Sequence, residues 1–509
     1  MELDAQLVRG WPKLAWVAVW PPGAGKMTVY HGPYVEVHAQ WCAEAVWVGG
    51  FAAGDFDRTD LVFGTGIRCR GDEVTFVTSG STLDRLCYCH SAGAWHVANS
   101  LPALLAVTGL ALRDDYGDYI KDIDTLVDGL AVYKRSLPAD GGDVCLVHFN
   151  NLVYDGKSLR EVEKADSAPR FETFQVYHGY LLETAKRLAA NMNDPARKHK
   201  VRPLVTVSTG YDASMAAVIA RHAGCREAVT ITRATSLWRG SDSGEEISRH
   251  LALSCRTYGR TAERYPLEET MWSVAGSPSI LNWTLFDYPE PLCLFFTGCY
   301  GDRVWSRRDR DYRDAFEGIG LAHGGMGEFR LFKGVFHCPL PFWGMRHFRE
   351  LKAISFSDEM APWALYTDYD RPICRRIVEE AGVPRSLFGT RKKNTSHNAA
   401  FLWPYSPESR VRFRAFLESR GVAAPSEASV WLRRQVAWAE SLLYHNVALK
   451  LGLRKASLRR WITSRANDLL FHWANDELRK MYAEALKSAA GEMPTRKGRM
   501  GSGPEGPPR

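Results

Sequence analysis

No stretch of the 509-residue chain approaches the run of about 18 apolar residues that a membrane helix needs. The first residues, MELDAQLVRGWPK, contain no basic segment followed by an apolar one, so a secretory signal is not expected. The 11 cysteines are scattered and odd in number. They form no evident disulfide framework, and a reduced, cytoplasmic setting is expected. No dense Lys/Arg run occurs before the tail, so the net charge of +7 reads as that of a mildly basic soluble protein rather than of a nucleic-acid binder. No internal repeat is visible. A true Walker A loop is also missing. In PPGAGKMT (Pro21–Thr28), Trp20 stands where the first glycine belongs and Met27 where the Mg²⁺-reaching hydroxyl belongs. The TVYHGPYVEVHA that follows reads as strand, so a hairpin turn is predicted. Cys87-Tyr-Cys89-His90 has no second ligand pair at zinc spacing and reads as a strand with buried cysteines.

What is present is ordinary for a globular chain: 45% hydrophobic and 24% charged residues, enough for two or three domains. The 17 tryptophans are as well explained by composition as by binding. Residues 1–165 read as β-rich, with short runs at Leu14–Trp20, Val35–Ala39, Val74–Thr78 and Leu86–His90 between Gly, Asp and Ser turns. Glu163–Arg170 (EKADSAPR) reads as a linker. Beyond it the pattern alternates. Phe174, Tyr177, Leu181 and Leu188 share a helix face, and a strand, a turn, a helix and a second strand (Ala228–Ile231) follow. Ser243-x-x-Glu246 has the form of a capping box opening a helix with Ile247, Leu251 and Cys255 on one face. Strand–helix alternation predicts a parallel sheet over residues 171–490. About Ala428 to Ala490 reads as helical, and 491–509, rich in Gly, Pro and basic residues, as a disordered tail.

The chemistry concentrates at VTVSTGYDASMAAVIARHAG, Val205–Gly224. An apolar run breaks into Ser208-Thr209-Gly210-Tyr211-Asp212-Ala213-Ser214, then turns helical with Met215, Val218, Ile219 and His222 at helix spacing. Helix N-termini carry unpaired N–H groups and hold anions. Ser208, Thr209 and Ser214 add hydroxyl donors. Asp212 repels a phosphate unless it holds Mg²⁺, which binds through one or two carboxylates plus phosphate oxygens. An Asp capping a helix after a glycine turn explains the stretch equally well.

Ser208–Ser214 resembles the pyrophosphate loop, Ser-Gly-Gly-x-Asp-Ser-Ser/Thr, of the asparagine synthetase-like PP-loop ATP pyrophosphatases. Other segments resemble that family in its order. LFFTGCYGDRVW (Leu294–Trp305) is similar to its Ser-Gly-x-Gly-x-Asp-Glu segment. That match implies Asp302 as a second Mg²⁺ ligand opposite Asp212, with Thr297 and Gly298 near the nucleotide. Gly334–Met360 resembles Glu-x-Arg-x-Pro-Phe-Leu-Asp, with Pro341 and Phe342 in place. VPRSLFGTRKKN (Val383–Asn394) resembles a Leu-Pro…Arg-x-Lys loop, which puts Arg391 and Lys393 in the matching positions. A lysine there would neutralise charge on an adenylate and on the tetrahedral intermediate. As residues alone, Arg-Lys-Lys reads as a solvated basic loop. Val74–Val107 resembles the family's glutaminase domain, so the likeness spans about residues 70–400.

The departures narrow what the likeness implies. Such glutaminases use an N-terminal cysteine as nucleophile; this chain begins Met-Glu-Leu and its first cysteine, Cys42, reads as interior. The resemblance is therefore to the branch without glutaminase activity, which includes β-lactam synthetases and lasso peptide macrolactam cyclases. Cys299 and His337 occupy the places of the family's acid–base residues, and Tyr300, next to Cys299, stands in the place of a Gly. His337, helped by Tyr300, would take the proton of an attacking amine; a packing histidine fits as well. Arg303, Thr209 and Ala213 replace an acid, a Gly and a Ser of the pattern.

The fold expected is an N-terminal β-sandwich of degenerate Ntn-glutaminase type (α+β), joined to a C-terminal α/β synthetase domain with a parallel sheet. The activity expected is ATP- and Mg²⁺-dependent amide formation through an acyl-adenylate. Its substrate would be a small molecule or peptide bearing a carboxylate and an amine, the amine coming from a source other than glutamine. Natural-product or modified-peptide biosynthesis is the setting the likeness implies. Nucleic acid and membrane partners are not expected, and a homodimer is left open. An RNA-modifying adenylating enzyme and a nucleotide-binding pseudoenzyme are the competing readings.

Overall fold

The computed structural model describes residues 1–232, 241–259, 265–275, 280–308, 312–321, 324–390, 403–443 and 465–491. Arg391, Lys393 and the tail expected at 491–509, all but Gly491 itself, lie outside the described residues. The architecture is α+β, with a largely antiparallel two-sheet region first and a parallel sheet second.

The first sheet has seven strands, in spatial order Glu2–Leu7, Lys26–His31, Trp16–Trp20, Ala94–Ala98, Arg85–Ser91, Val144–His148 and Ser136–Leu137. Only its first strand pairs in parallel. The second has six, from Leu159–Val162 through Asn151–Tyr154, Glu73–Val77, Val62–Arg70 and Trp41–Trp47 to Glu36–His38. Alternation along each strand dictates how the sheets meet. Trp16, Ala18 and Trp20 turn inward onto Ile67, Phe76 and Tyr154 of the facing sheet, with Trp20 stacked on Phe76 at 5.3 Å. The intervening Val17 turns outward into a second core beneath the helix Leu101–Thr108. The run Leu14–Trp20 is thus apolar throughout because both faces of its strand are covered. Pro21–Gly25 is the hairpin turn between Trp16–Trp20 and Lys26–His31, and Cys87 and Cys89 are buried strand residues.

Glu163–Arg170 forms neither helix nor strand, as expected of a connection, but it is pinned. Lys164 is buried, with its ammonium donating to Asn151, and its carbonyl accepts from Arg346 at 3.1 Å. The helix Phe174–Met192 follows, capped by Thr173 (3.3 Å to Val176 N), and buries Phe174, Tyr177, Leu181 and Leu188.

The parallel sheet has five strands. Val201–Thr206 is central, Glu227–Ile231 and Ser254–Tyr258 lie to one side, and Leu292–Thr297 and Val335–Pro339 to the other. In chain order that is third, second, first, fourth, fifth. The capping box is replaced by a tighter arrangement: Ser243 Oγ donates to Glu245 at 2.8 Å, and the helix runs only Glu245–His250. Ala252, at φ 52°, stops it, so Cys255 lies on a strand instead of the helix face. Glu427–Leu443 and Arg465–Gly491 are helical, as expected. Among the described residues no helix is long and apolar enough to cross a membrane.

One hydrophobic core runs through both regions, joining Leu104 and Leu105 to Phe296 and Tyr482. Charged groups are buried at the junction. Arg330 donates to Glu44 (2.8 and 3.1 Å) and to Asp84 (2.8 Å). Beside it Glu328 accepts from Ser100 and Tyr482, each at 3.0 Å. Burial pushes the Glu328 carboxyl up to about 7, although these hydroxyls oppose the shift. A carboxyl with a raised folded-state pKa stabilises the fold while neutral. That contribution is complete below the unfolded pKa and is lost as pH rises through about 7. Glu328→Gln is therefore expected to flatten the decline in stability between about pH 4.5 and 7, on the order of 3 kcal/mol. Urea unfolding of both proteins at pH 5 and pH 8 measures it; parallel declines in parent and variant would refute it.

Candidate functional site

In an open α/β sheet the crevice outside the carboxyl ends of the strands opens where the strand order reverses. Here that point lies between Val201–Thr206 and Leu292–Thr297, whose exits are the two loops singled out in the sequence.

The first exit is built for a tight turn. Leu204 and Val205 are buried, and Val207 N still bonds Val229 O at 2.9 Å. Ser208 bridges to Ser243, and the helix Tyr211–His222 starts after Gly210. Met215, Val218 and Ile219 seat that helix; His222, the fourth residue of the expected face, is exposed in its last turn. Ser214 Oγ donates to Ser208 O (3.0 Å) and Gly210 O (2.8 Å), tying the loop to the helix. Gly210 N donates to Ser208 Oγ at 3.2 Å and Tyr211 N to the Tyr369 hydroxyl at 3.4 Å. Thr209, the departure from a loop glycine, has a specific partner: its hydroxyl donates to the buried Asp242, and its N–H to Asp242 O at 3.4 Å.

The second exit presses against the first. A Cβ placed on Gly298 would lie 2.5 Å from the Asp212 carbonyl carbon, and one on Gly301 would lie 2.3 Å from Asp212 Cγ. Glycine is required at both positions by contact. Asp302 is exposed on the short helix Gly301–Val304. Gly389 N donates to Thr209 O at 2.8 Å, so the chain leading into Arg391 and Lys393 departs from this same loop.

Other expected residues are turned elsewhere. Tyr300 sits at φ 69°, its hydroxyl donating to Gly320 O and accepting from Gly320 N at 3.1 Å; burial raises its pKa. His337 Nε2 is 2.9 Å from the hydroxyl of the buried Thr297, and its ring packs edge-on to Trp283 at 5.5 Å. Burial pulls His337 down to about 3, so it is neutral at pH 7 and a poor proton acceptor. Burial also pushes the Cys299 thiol up to about 12. Arg303 donates to Asp314 O (2.6 Å) and Glu317 O (2.9 Å) beneath the Tyr312 ring, which makes it a support for that turn.

Residue reading missed the cation of the site. Arg371, 3% exposed at the start of the helix Pro372–Glu380, pairs with Asp212 Oδ2. Burial opposes its charge, but Asp212, then Tyr369 and Asp302, hold its pKa above the usual guanidinium value. Arg375, on the same helix, donates to the Tyr211 hydroxyl. A local signal for these contacts is lacking, because a mid-helix or pre-proline arginine says nothing about a partner in another segment.

A divalent cation shared by Asp212 and Asp302 does not fit this arrangement. Asp212 Oδ2 is engaged by Arg371 and Oδ1 is buried against Gly301, which leaves Asp302 as the exposed carboxylate. Among the described residues no group of three or more His, Cys, Asp or Glu assembles as a metal site. The chain matches no family model and no curated protein.

Proposed function

We propose that this chain is an ATP-dependent amide ligase of the PP-loop type, built on a degenerate Ntn-glutaminase-like sandwich. ATP is its substrate, brought in with its own Mg²⁺. The reading is carried by one observation: Ser208–Ser214 and Thr297–Asp302 leave adjacent central strands at the switch point and touch through Gly298, Gly301 and Asp212. A phosphate chain would lie across the start of the helix Tyr211–His222, drawn to the positive end of that helix. The substrate carboxylate oxygen attacks the α-phosphorus, and the bond to the β-phosphate oxygen breaks to release pyrophosphate. An amine then forms a C–N bond as the C–O bond to AMP breaks, and its proton leaves to the AMP phosphate or water. Lys393 would hold the developing charge. Tyr300 and His337 serve this reading by packing the exit of Leu292–Thr297.

A nucleotide-binding pseudoenzyme is the second reading, favoured by the pairing of Asp212 with Arg371. Pyrophosphate release separates the two. Incubated with ATP and a mixed pool of carboxylates and peptides, the protein is expected to release pyrophosphate and to yield a product lighter by one water in mass spectrometry. Asp302→Ala and Lys393→Ala are each expected to lower the release about 100-fold, some 2.7 kcal/mol of barrier. No pyrophosphate from any pool, or a rate indifferent to Asp212→Ala, sinks the ligase.

A further inference from the structure

A carboxylate in a phosphate loop needs a cation, because its charge repels the ligand. The usual supplier is a metal ion. Here the chain itself places a cation on Asp212. The Arg371 guanidinium is almost wholly buried, pairs with Asp212 Oδ2, and lies within electrostatic reach of Asp302. Its position is fixed from several sides. It stands at the N-terminus of the helix Pro372–Glu380, directly after Tyr369-Asp370. Tyr369 lies under the guanidinium at 5.2 Å and also accepts the N–H of Tyr211 in the loop. Arg375, one turn on, grips the Tyr211 hydroxyl. Asp370 is turned away: its carboxylate caps Leu365 N and Tyr366 N, both at 3.0 Å. Moving Arg371 aside would leave a buried charge without its partner, which is strongly unfavourable. A metal ion arriving at Asp212 would therefore have to displace a buried cation that is already paired with it.

We infer that Arg371 is the built-in counter-cation of this phosphate loop, so that the polyphosphate of a nucleotide binds without a divalent ion at Asp212. The inference rests on the ligase reading above and sharpens it: Arg371 is a positioning residue that neutralises Asp212 before the ligand arrives. A guanidinium is suited to the task, since it stays charged when buried and donates in several directions from one plane. A divalent ion would be held by the phosphate oxygens of the nucleotide, with Asp302 rather than Asp212 as the carboxylate open to it.

The test is the cation dependence of binding, read without turnover. The affinity of the full chain for α,β-methylene-ATP, which cannot lose pyrophosphate, is measured by calorimetry in Mg²⁺ and in EDTA. The parent is expected to bind in both, with less than a tenfold loss in EDTA. Arg371→Lys, which keeps the charge, is expected to retain EDTA binding within tenfold of the parent. Arg371→Gln is expected to lose it by 100-fold or more, and to recover part of it when Mg²⁺ is added. Circular dichroism checks that each variant is folded. If Arg371→Gln does not fold, the parent and the lysine variant still decide. A parent that needs Mg²⁺ by 100-fold or more overturns the counter-cation while leaving the ligase standing. A parent that binds in neither condition overturns both.

Discussion

Gly301→Ala is expected to lower ATP-dependent pyrophosphate release by at least about 100-fold while leaving the two-sheet region folded. The methyl carbon would sit 2.3 Å from Asp212 Cγ and 2.4 Å from Asp212 Oδ1, well inside contact distance. Backbone strain is not the cause, for Gly301 begins a short helix and has no positive φ. The obstacle is that Asp212 has no room to retreat. Arg371 holds its carboxylate, and a Cβ at Gly298 would meet its backbone at 2.5 Å. Relief requires either Asp212 or the whole exit of the Leu292–Thr297 strand to shift, and each pulls the two loops apart. A displacement of about 1 Å is enough for a 100-fold loss where catalysis rests on positioning. Gly179→Ala is the matched control. Its Cβ would meet nothing within 4 Å, and it lies inside the helix Phe174–Met192. It is expected to stabilise the chain by about 0.5–1 kcal/mol without changing turnover. Calorimetric affinity for ATP, measured beside the pyrophosphate rate, locates the loss; a Gly301→Ala protein with the parent's affinity and rate would remove the contact between loops from the account.

What could be read from residue order was whatever local chemistry decides. Alternation and turn residues marked the strands of the sandwich, and they separated PPGAGKMT, a hairpin turn, from a phosphate loop. Strand-to-helix punctuation marks Ser208–Ser214, the family likeness alone marks Thr297–Asp302, and their strands are neighbours in the sheet. What could not be read was pairing between distant segments. Thr209 replaces a Gly of the pattern and Arg303 an acid, and residue order does not name their partners, Asp242 and the Asp314–Glu317 turn. His337 carries the same lesson in reverse. A histidine near neutral pKa suggests proton transfer, but burial behind Trp283 and Phe295 removes the charged form that such a role uses. Arg371 was invisible for the same reason: nothing in the sequence around an Arg-Pro pair names Asp212 as its partner.

The largest effect on stability is expected at the junction of the two regions, where Arg330→Met leaves two carboxylates buried without their guanidinium. Arg330 is 2% exposed and donates to both Glu44 and Asp84, themselves almost fully buried. Removing one partner of a buried ion pair costs about 3–5 kcal/mol, because the remaining charge is neither solvated nor paired. Glu44 retains Thr65 at 2.6 Å and Asn99 at 3.1 Å, so part of its charge stays bonded; Asp84 has less to fall back on. Burial already raises the Glu44 pKa against the pull of Arg330. Without the arginine this carboxyl takes up a proton on folding, and the variant is expected to lose most stability above neutral pH and least near pH 5. Adding Glu44→Gln to Arg330→Met is then expected to restore at least about 1 kcal/mol, since a neutral amide keeps the bonds to Thr65 and Asn99 without the charge. Urea midpoints of the parent, both single variants and the double variant at pH 5 and pH 8 test this. A double variant no more stable than Arg330→Met would place the cost in lost packing rather than in charge. Because Arg330 comes from a helix beside the parallel sheet while Glu44 and Asp84 come from the sandwich, the same cut is expected to split one cooperative unfolding transition into two. That outcome would identify the ion cluster, and not the shared apolar core alone, as what makes the two-sheet region and the parallel-sheet region unfold as one body.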